Sequence, residues 1–354
     1  MKTIPKNMKN IAIAPMLDYT DKYYRLFASQ LSNQVELYTE MVVAEALTYS
    51  NSDTIHNLLA HFNDVRPKNR TIVQLGSSNP TNLVKAAKLC QQYNYDAINL
   101  NLGCPSTRVK SGNFGAVLMK DPNLVLDCIK AMQDHVTIPI TVKHRIGLNY
   151  EYSFESLYEF IDLLQSNNVT EFIIHARSAI LNGLSPKQNR EIPPLHYDYV
   201  YNIKKSFPHL KITINGGITT ISEIKEHLNY VDGVMIGRAF YNNSTLLSHV
   251  DSLINNNANQ NIIDQNIINA NMINNIVTNY VNRLKIATTM IPYLEHMLQH
   301  NIPLHYLTRH MANLYFECNN AKLWRHTLNY KIRQDNSIHT YLDLLKIMEN
   351  VYND

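Results

Sequence analysis

The stretch NLNLGCPSTRVKSGNFGAVLMK runs from Asn99 to Lys120. A β-like alternation reaches Gly103 and gives way to Cys104 and Pro105. A thiol at a strand exit has two chemical uses. An unperturbed thiol titrates near about 8.5, so at neutral pH it is mostly SH and can give a proton to a carbon centre while hydride arrives on the opposite face. Beside a cation or a helix N-terminus it becomes a thiolate nucleophile. Cysteine is also among the most often buried residue types. That plain packing role suits Cys90 and Cys128, which fall inside helical patterns, and also Cys318. Cys104 differs by its place at the end of an apolar run. The loop after it, SGNFGA, carries Gly112 and Gly115, the kind of flexible segment that can reposition a thiol.

Other polar residues also close apolar runs. Gln74, Lys143 and His175 end three of them. A flavin ring needs polar donors along its pyrimidine edge, and a lysine beside N1–C2=O stabilises the negative charge that reduction places there. Lys143 suits that role. Taken singly, Lys143 reads equally well as a salt-bridged interior lysine and His175 as a hydrogen-bonded core histidine. Phosphate chemistry is suggested twice in succession, at Asn215-Gly216-Gly217 and at Gly237-Arg238. Glycines between a strand and a helix let the backbone approach a phosphate, and the helix N-terminus adds N–H donors. With glycine at only 10 of 354 positions, a surviving glycine has a backbone reason more often than usual. His144 and His175 do not have metal-ligand spacing and no carboxylate cluster accompanies them, so no metal is expected. The four cysteines are far apart and form no CxxC pair, so neither a zinc site nor a disulfide framework is implied.

These residues need a scaffold that brings run ends together. Eight short apolar runs recur: 11–16, 36–41, 71–76, 97–103, 139–145, 171–177, 211–217 and 233–238. Most are rich in Ile, Val or Leu at the centre, as strands buried on both faces are. Helix candidates lie between them. Asn79-Pro80 and Asp121-Pro122 open two, Ser156 to Glu159 reads as a capping box for a third, and Thr220 as a cap for a fourth. Alternating strands and helices over about 240 residues predict a (β/α)8 barrel. A doubly wound open sheet is the alternative, but no GxGxxG follows the first strand. In a barrel the polar run ends form one mouth, and the loops after strands seven and eight are the usual phosphate site.

The chain has 354 residues, 45% of them hydrophobic, enough for a large domain and a smaller one. Residues 1–243 are assigned to the barrel and 244–275, Asn-rich and nearly uncharged, to a linker or elongated connection. Residues 276–354 are assigned to a small all-helical domain, because helical spacing recurs there without strand signals. No apolar run is long enough to span a bilayer, and the basic start lacks a signal-peptide apolar region, so a cytoplasmic protein is expected. The net charge of +3 is compatible with a nucleic-acid partner without requiring one.

The motifs APMLDYTD, YTEM, QLGSSNP, NLNLGCPSTRVKSGNFGAVLM, VKHRIG, HAR, LSPKQNREIPPL, INGGI and MIGRAF together resemble the tRNA-dihydrouridine synthases. The resemblance covers roughly residues 10–245 and resumes at LTRHMANLYFE and AKLWR. It is nearest to the subfamily that acts on uridines 20 and 20a of the tRNA D-loop. It implies bound FMN, with NADPH as a transient reductant, and tRNA as substrate, with no stable protein partner. It places Pro15, Met16, Leu17, Gln74, Lys143 and His175 around the flavin. Asn215, Gly216, Gly217, Gly237 and Arg238 would hold its phosphate. Cys104 would protonate C5 of uracil while hydride reaches C6. Asn101, Arg145, Arg177, Lys187, Asn189 and Arg190 would face the tRNA, and Arg309, with Lys285, Arg325 and Lys331, would contact it from the helical domain.

The sequence departs from the family at HARSAILNGLSPKQNR, where HARKAWLSGLSPKENR is common. Ser178, Ile180 and Gln188 replace a cation, a ring and an acid, which bears on RNA affinity rather than on flavin chemistry. Two rival readings remain at this stage. One is an FMN-dependent enzyme reducing small pyrimidines or enes on the same barrel. The other is a flavin-free RNA-binding module.

Overall fold

The computed structural model describes residues 9–256 and 283–353. Eight parallel strands are present: β1 (Asn10–Ile13), β2 (Leu37–Val43), β3 (Thr71–Gly76), β4 (Ala97–Leu102), β5 (Ile140–Arg145), β6 (Glu171–His175), β7 (Lys211–Asn215) and β8 (Gly233–Ile236). Each falls on one of the eight apolar runs. The hydrogen-bonded order is β1-β8-β7-β6-β5-β4-β3-β2. The ring closes between β1 and β2 through Glu36, whose N–H donates to Ile11 O and whose carbonyl accepts from Ile13 N–H, both at 2.9 Å. With helices between the strands, this is a (β/α)8 barrel. An open doubly wound sheet is excluded by the closure and by the strand order.

Local capping accounts for the helix starts. Asn79 and Asp121 each accept a backbone N–H of the first turn, with proline next in line. Thr220 caps Ile221–Leu228 in a capping box with Glu223. The box expected at Ser156–Glu159 lies three residues earlier: Ser153 is the cap and Ser156 its partner, so the helix begins at Phe154. Serine can fill the reciprocal position because its hydroxyl reaches the cap N–H as a short glutamate would.

The barrel interior is layered. Ala12, Ala14, Tyr38, Ile72, Ala97, Ile173 and Met235 pack as one buried cluster. At the N-terminal ends of the strands lies an ionic knot of Glu36, Arg70, Glu171 and Lys211. Arg70 bridges Glu36 at 2.8 Å and grips Glu171 bidentately at 2.8 and 2.9 Å. Lys211 Nζ reaches both carboxylates at 3.0 Å. Burial works against the Glu171 carboxylate, but Lys211 and Arg70 hold it well below the usual carboxylate range.

The chain divides into two compact units. One holds residues up to Lys22 and Gln34–Gly237; the other holds Tyr23–Asn33 and everything from Arg238 on. The second unit contains most of the first barrel helix, Lys22–Leu31, besides the C-terminal helices. Within it Trp324 is fully buried, its Nε1–H donating to Met311 O at 2.9 Å, and Tyr341 donates to Ala287 O at 2.8 Å. The described part of 244–275 is helical, at Thr245–Ser248 and Val250–Asn256. The rest of the expected linker, residues 257–275, lies outside the described residues, as do 276–282 of the next helix candidate. Among the described residues no helix is long and apolar enough to cross a membrane.

Candidate active site

Strand register sets the polar residues of the C-terminal ends side by side. Gln74 pairs with Asn99, Asn101 with Lys143, Arg145 with His175, and His175 with Asn215. The alternation of a strand sorts β5. His144 points away from the mouth, fully buried and edge-on to Phe160 and Phe172, with Nδ1 at 2.7 Å from Arg145 O. Burial pushes its pKa down to about 4, so it is a neutral core histidine.

A chain of amides crosses the interior and ends at the cysteine. Asn99 Nδ2 donates to Thr141 Oγ1 at 2.9 Å, Gln74 Nε2 to Asn99 Oδ1 at 2.8 Å, and Asn101 Nδ2 to Gln74 Oε1 at 2.7 Å. Asn101 Oδ1 then accepts the N–H groups of Gly103 and Cys104, each at 3.0 Å. Gln74 keeps one amide N–H and one carbonyl lone pair uncommitted. Cys104 is partly exposed, with Sγ 3.5 Å from Ser106 Oγ. Its carbonyl accepts from Ala116 N–H at 2.9 Å. Gly115, at φ +70°, makes that approach: a Cβ there would stand 2.7 Å from Cys104 O and 2.2 Å from Val109 Cγ1. The glycine thus folds the loop back onto the cysteine.

Cations gather around Lys143 and His175. Lys143 Nζ donates to Asn215 Oδ1 at 3.0 Å, and Asn215 Nδ2 to Met235 O at 2.8 Å. Burial, then Arg145, pushes the Lys143 ammonium down to about 7, with Cys104 acting the other way. His175 is driven well below its ordinary value by burial and then by Arg145, Lys143, Arg177 and Arg190, so its ring is neutral at neutral pH. The charged groups acting on His175 are all cations, and such a mouth favours an anion. Beside it, Gly216 and Gly217 have φ +115° and +75°. A Cβ on Gly216 would stand 2.4 Å from His175 Cδ2, and one on Gly217 2.6 Å from Leu195 Cδ1. Tyr197 Oη–H fixes the turn by donating to Gly216 O at 2.7 Å. A Cβ on Gly237 would meet Met16 Sδ at 3.1 Å, so the loops after β1 and β8 touch. Pro15 and Met16 are half-buried and Leu17 is 63% exposed. Bare glycine backbone, a cation without a carboxylate beside it and a half-committed glutamine fit a planar group that carries a phosphate.

The sequence profile of the dihydrouridine synthases matches residues 12–350. The chain belongs to the dihydrouridine synthase family. Three similar relatives are each named tRNA-dihydrouridine(20/20a) synthase. The one from Haemophilus ducreyi is 45% identical over 319 residues, 90% of this chain and 90% of the relative. Those from Synechocystis and Shewanella oneidensis are each 43% identical, over 321 and 325 residues, covering 90% and 92% of this chain and 88% and 89% of the relatives. Dihydrouridine synthases are flavin-dependent in general.

In this dihydrouridine synthase the residues expected to face RNA separate into two groups. Lys187 and Arg190 are exposed on the loop after β6, and Arg177 is partly exposed at its start, with Nη1 on Pro193 O. Asn189 and Arg145 are not at a surface. Asn189 is fully buried, its amide bridging Ile180 N–H at 2.8 Å and Ile180 O at 2.9 Å, so it braces the loop. Arg145 is 4% exposed and donates to the carbonyls of Gly103, Ser178 and Asn189. The departures from the family lie there too: Ser178 and Ile180 are buried, and Gln188 Oε1 accepts from Ser185 N–H at 2.9 Å. The position of Ile180 is therefore one of packing. Arg238 is exposed and opens the short helix Arg238–Asn242 directly after Gly237. Arg309, in the second unit, is exposed with Nε on His310 Nε2 at 3.2 Å. Sequence reasoning missed Thr141 and Tyr197. A threonine inside an apolar strand run was the signal for the first; the second had none.

Proposed function

We propose that this enzyme reduces uridines 20 and 20a in the D-loop of tRNA to dihydrouridine, using bound FMN that NADPH reduces. Support comes from the names of relatives 43–45% identical over about nine-tenths of the chain. The observation that carries the reading is Asn101, which holds Gln74 with its amide N–H and the Cys104 backbone with its carbonyl. A flavin contact and a proton donor are thereby joined through one side chain.

When bound, reduced FMN supplies the hydride that adds to C6 of uracil. The chain does the rest. Lys143 and Gln74 would hold the ring, Lys143 stabilising the negative charge that reduction places on it. The neutral His175 ring adds a hydrogen-bonding edge, and Gly216, Gly217, Gly237 and Arg238 take the phosphate. Pro15, Met16 and Leu17 would help to hold the ring. The target uridine leaves its stack to enter the mouth, at a cost of a few kcal/mol that an irregular loop reduces. Cys104 gives its S–H proton to C5 as the C5–H bond forms, and the thiolate left behind is reprotonated from solvent. Arg177, Lys187 and Arg190 hold the RNA beside the mouth. Lys285, Arg309, Arg325 and Lys331 of the helical part neutralise backbone phosphates, which sets position rather than sequence. The enzyme works in the cytoplasm, where its tRNA is found.

The deciding experiment is mass mapping of dihydrouridine in tRNA from cells lacking this gene and from complemented cells. Loss and recovery at positions 20 and 20a are expected. Unchanged modification, or purified enzyme turning over free uridine as fast as tRNA, would overturn the proposal.

A further inference from the structure

Arg145 joins two loops with different tasks. Its Nε donates to Gly103 O at 3.1 Å, one residue before the cysteine. Its Nη1 donates to Ser178 O at 3.1 Å and Asn189 O at 3.0 Å, both in the loop after β6. A planar guanidinium holds such bonds in fixed directions, so it transmits displacement rather than absorbing it. The loop after β6 is itself braced: Asn189 binds both backbone groups of Ile180, and Ala179 N–H donates to Gly147 O at 2.9 Å. A second tie crosses outside the first. Lys110, in the short helix Thr107–Ser111 after the cysteine, donates to Asn182 Oδ1 at 2.8 Å and to Leu181 O at 3.4 Å. The cysteine loop is thus laced to the loop of Lys187 and Arg190 from below and from above.

We propose that Arg145 and Lys110 are positioning residues that make the pose of Cys104 depend on the loop 176–192, so that RNA held on Lys187 and Arg190 sets the thiol for proton delivery. The identity of the partner rests on the tRNA reading above; the lacing does not. Hydrogen-bonded networks of this kind carry coupling when their members have few alternative partners.

The test compares Lys110→Met, which removes the outer tie, with Lys110→Arg, which keeps a donor. Lys110 is exposed and outside the flavin contacts, so FMN content and the rate of flavin reduction by NADPH should match the parent. Two quantities are read. One is alkylation of Cys104 by iodoacetamide without RNA, followed by peptide mass spectrometry. The other is single-turnover dihydrouridine formation by pre-reduced enzyme at saturating tRNA. Lys110→Met should alkylate faster and turn over about three- to tenfold more slowly, with the KM for tRNA little changed. Lys110→Arg should restore both. Arg145→Met should shift both further in the same direction if it folds; the Lys110 pair decides the matter if it does not. Parent-like values of either quantity in Lys110→Met, or failure of Lys110→Arg to rescue, would overturn the coupling. A parent enzyme that forms no dihydrouridine in any tRNA would instead overturn the function, while the alkylation comparison would still report on the ties.

Discussion

Lys143 Nζ reaches Asn215 Oδ1 at 3.0 Å, bridging β5 to β7 across the intervening β6. The bridge supplies an amide oxygen where a buried ammonium ordinarily finds a carboxylate. The charge is left to attract a ligand, and the protein alone holds its pKa near 7, chiefly by burial. A ring carbonyl that accepts a hydrogen bond from the ammonium raises that pKa, so binding above about pH 7 takes up a proton. Affinity for FMN should be full below about 7 and decline as pH rises, by at most about tenfold per pH unit. Lys143→Met should bind FMN more weakly with a flat profile from pH 7 to 9. Flavin fluorescence titrations across that range check both; a flat parent profile would remove the lysine from the flavin site.

Gly216 lies at φ +115°, and a Cβ there would stand 2.4 Å from His175 Cδ2. Gly216→Ala must therefore displace the histidine or the turn that Tyr197 holds. Strain of this kind costs about 1–3 kcal/mol. The variant should fold, with a thermal midpoint lowered by a few degrees, and purify with most of its FMN lost. Full flavin occupancy would show that neither the turn nor His175 belongs to the flavin site.

Much of the scaffold was legible because strands buried on both faces leave continuous apolar runs, and all eight runs became strands. The mouth was legible for the same reason: polar residues closing those runs had to meet at one end. Orientation was not. His144 and Arg145 follow Lys143 directly, yet His144 packs against Phe160 and Phe172, while Arg145 is committed to three carbonyls. The type of a residue tells what it can bond, but the loop that bends over it decides with what. The same holds for Asn189, whose place in an exposed, polar motif suggested a surface contact and whose amide instead fills the loop it stands in. The knot of Glu36, Arg70, Glu171 and Lys211 gave no signal either, because its members are up to 175 residues apart in the chain.

Cys104 stands at the end of the amide chain with its backbone held by Asn101 and its carbonyl by Ala116. None of those bonds uses the side chain, so Cys104→Ala should keep the loop. FMN content and reduction by NADPH are expected to match the parent, while dihydrouridine formation on native tRNA falls by about a hundredfold or more, the usual contribution of a positioned general acid. Single-turnover assays of pre-reduced enzyme check this. Product at the parent rate would exclude the thiol as proton donor.

Glu171 sits at the opposite end of the strands, with Arg70 bidentate on it and Lys211 at 3.0 Å. Its carboxyl is depressed below the unfolded value of about 4.3 because those two cations outweigh its burial. A depressed carboxylate contributes stability above the unfolded pKa and loses it as pH falls through the folded one. Glu171→Gln leaves Arg70 and Lys211 sharing Glu36 alone, and breaking a buried ion pair from one side costs about 3–5 kcal/mol. The deficit should be present in full at pH 7 and shrink at pH 3, where the carboxyl of the unfolded chain is protonated and folding must release that proton. Urea unfolding of both proteins at the two pH values measures it. A deficit of equal size at pH 3 and pH 7 would mean that shape rather than charge makes Glu171 matter, and the knot would then hold the barrel by packing alone.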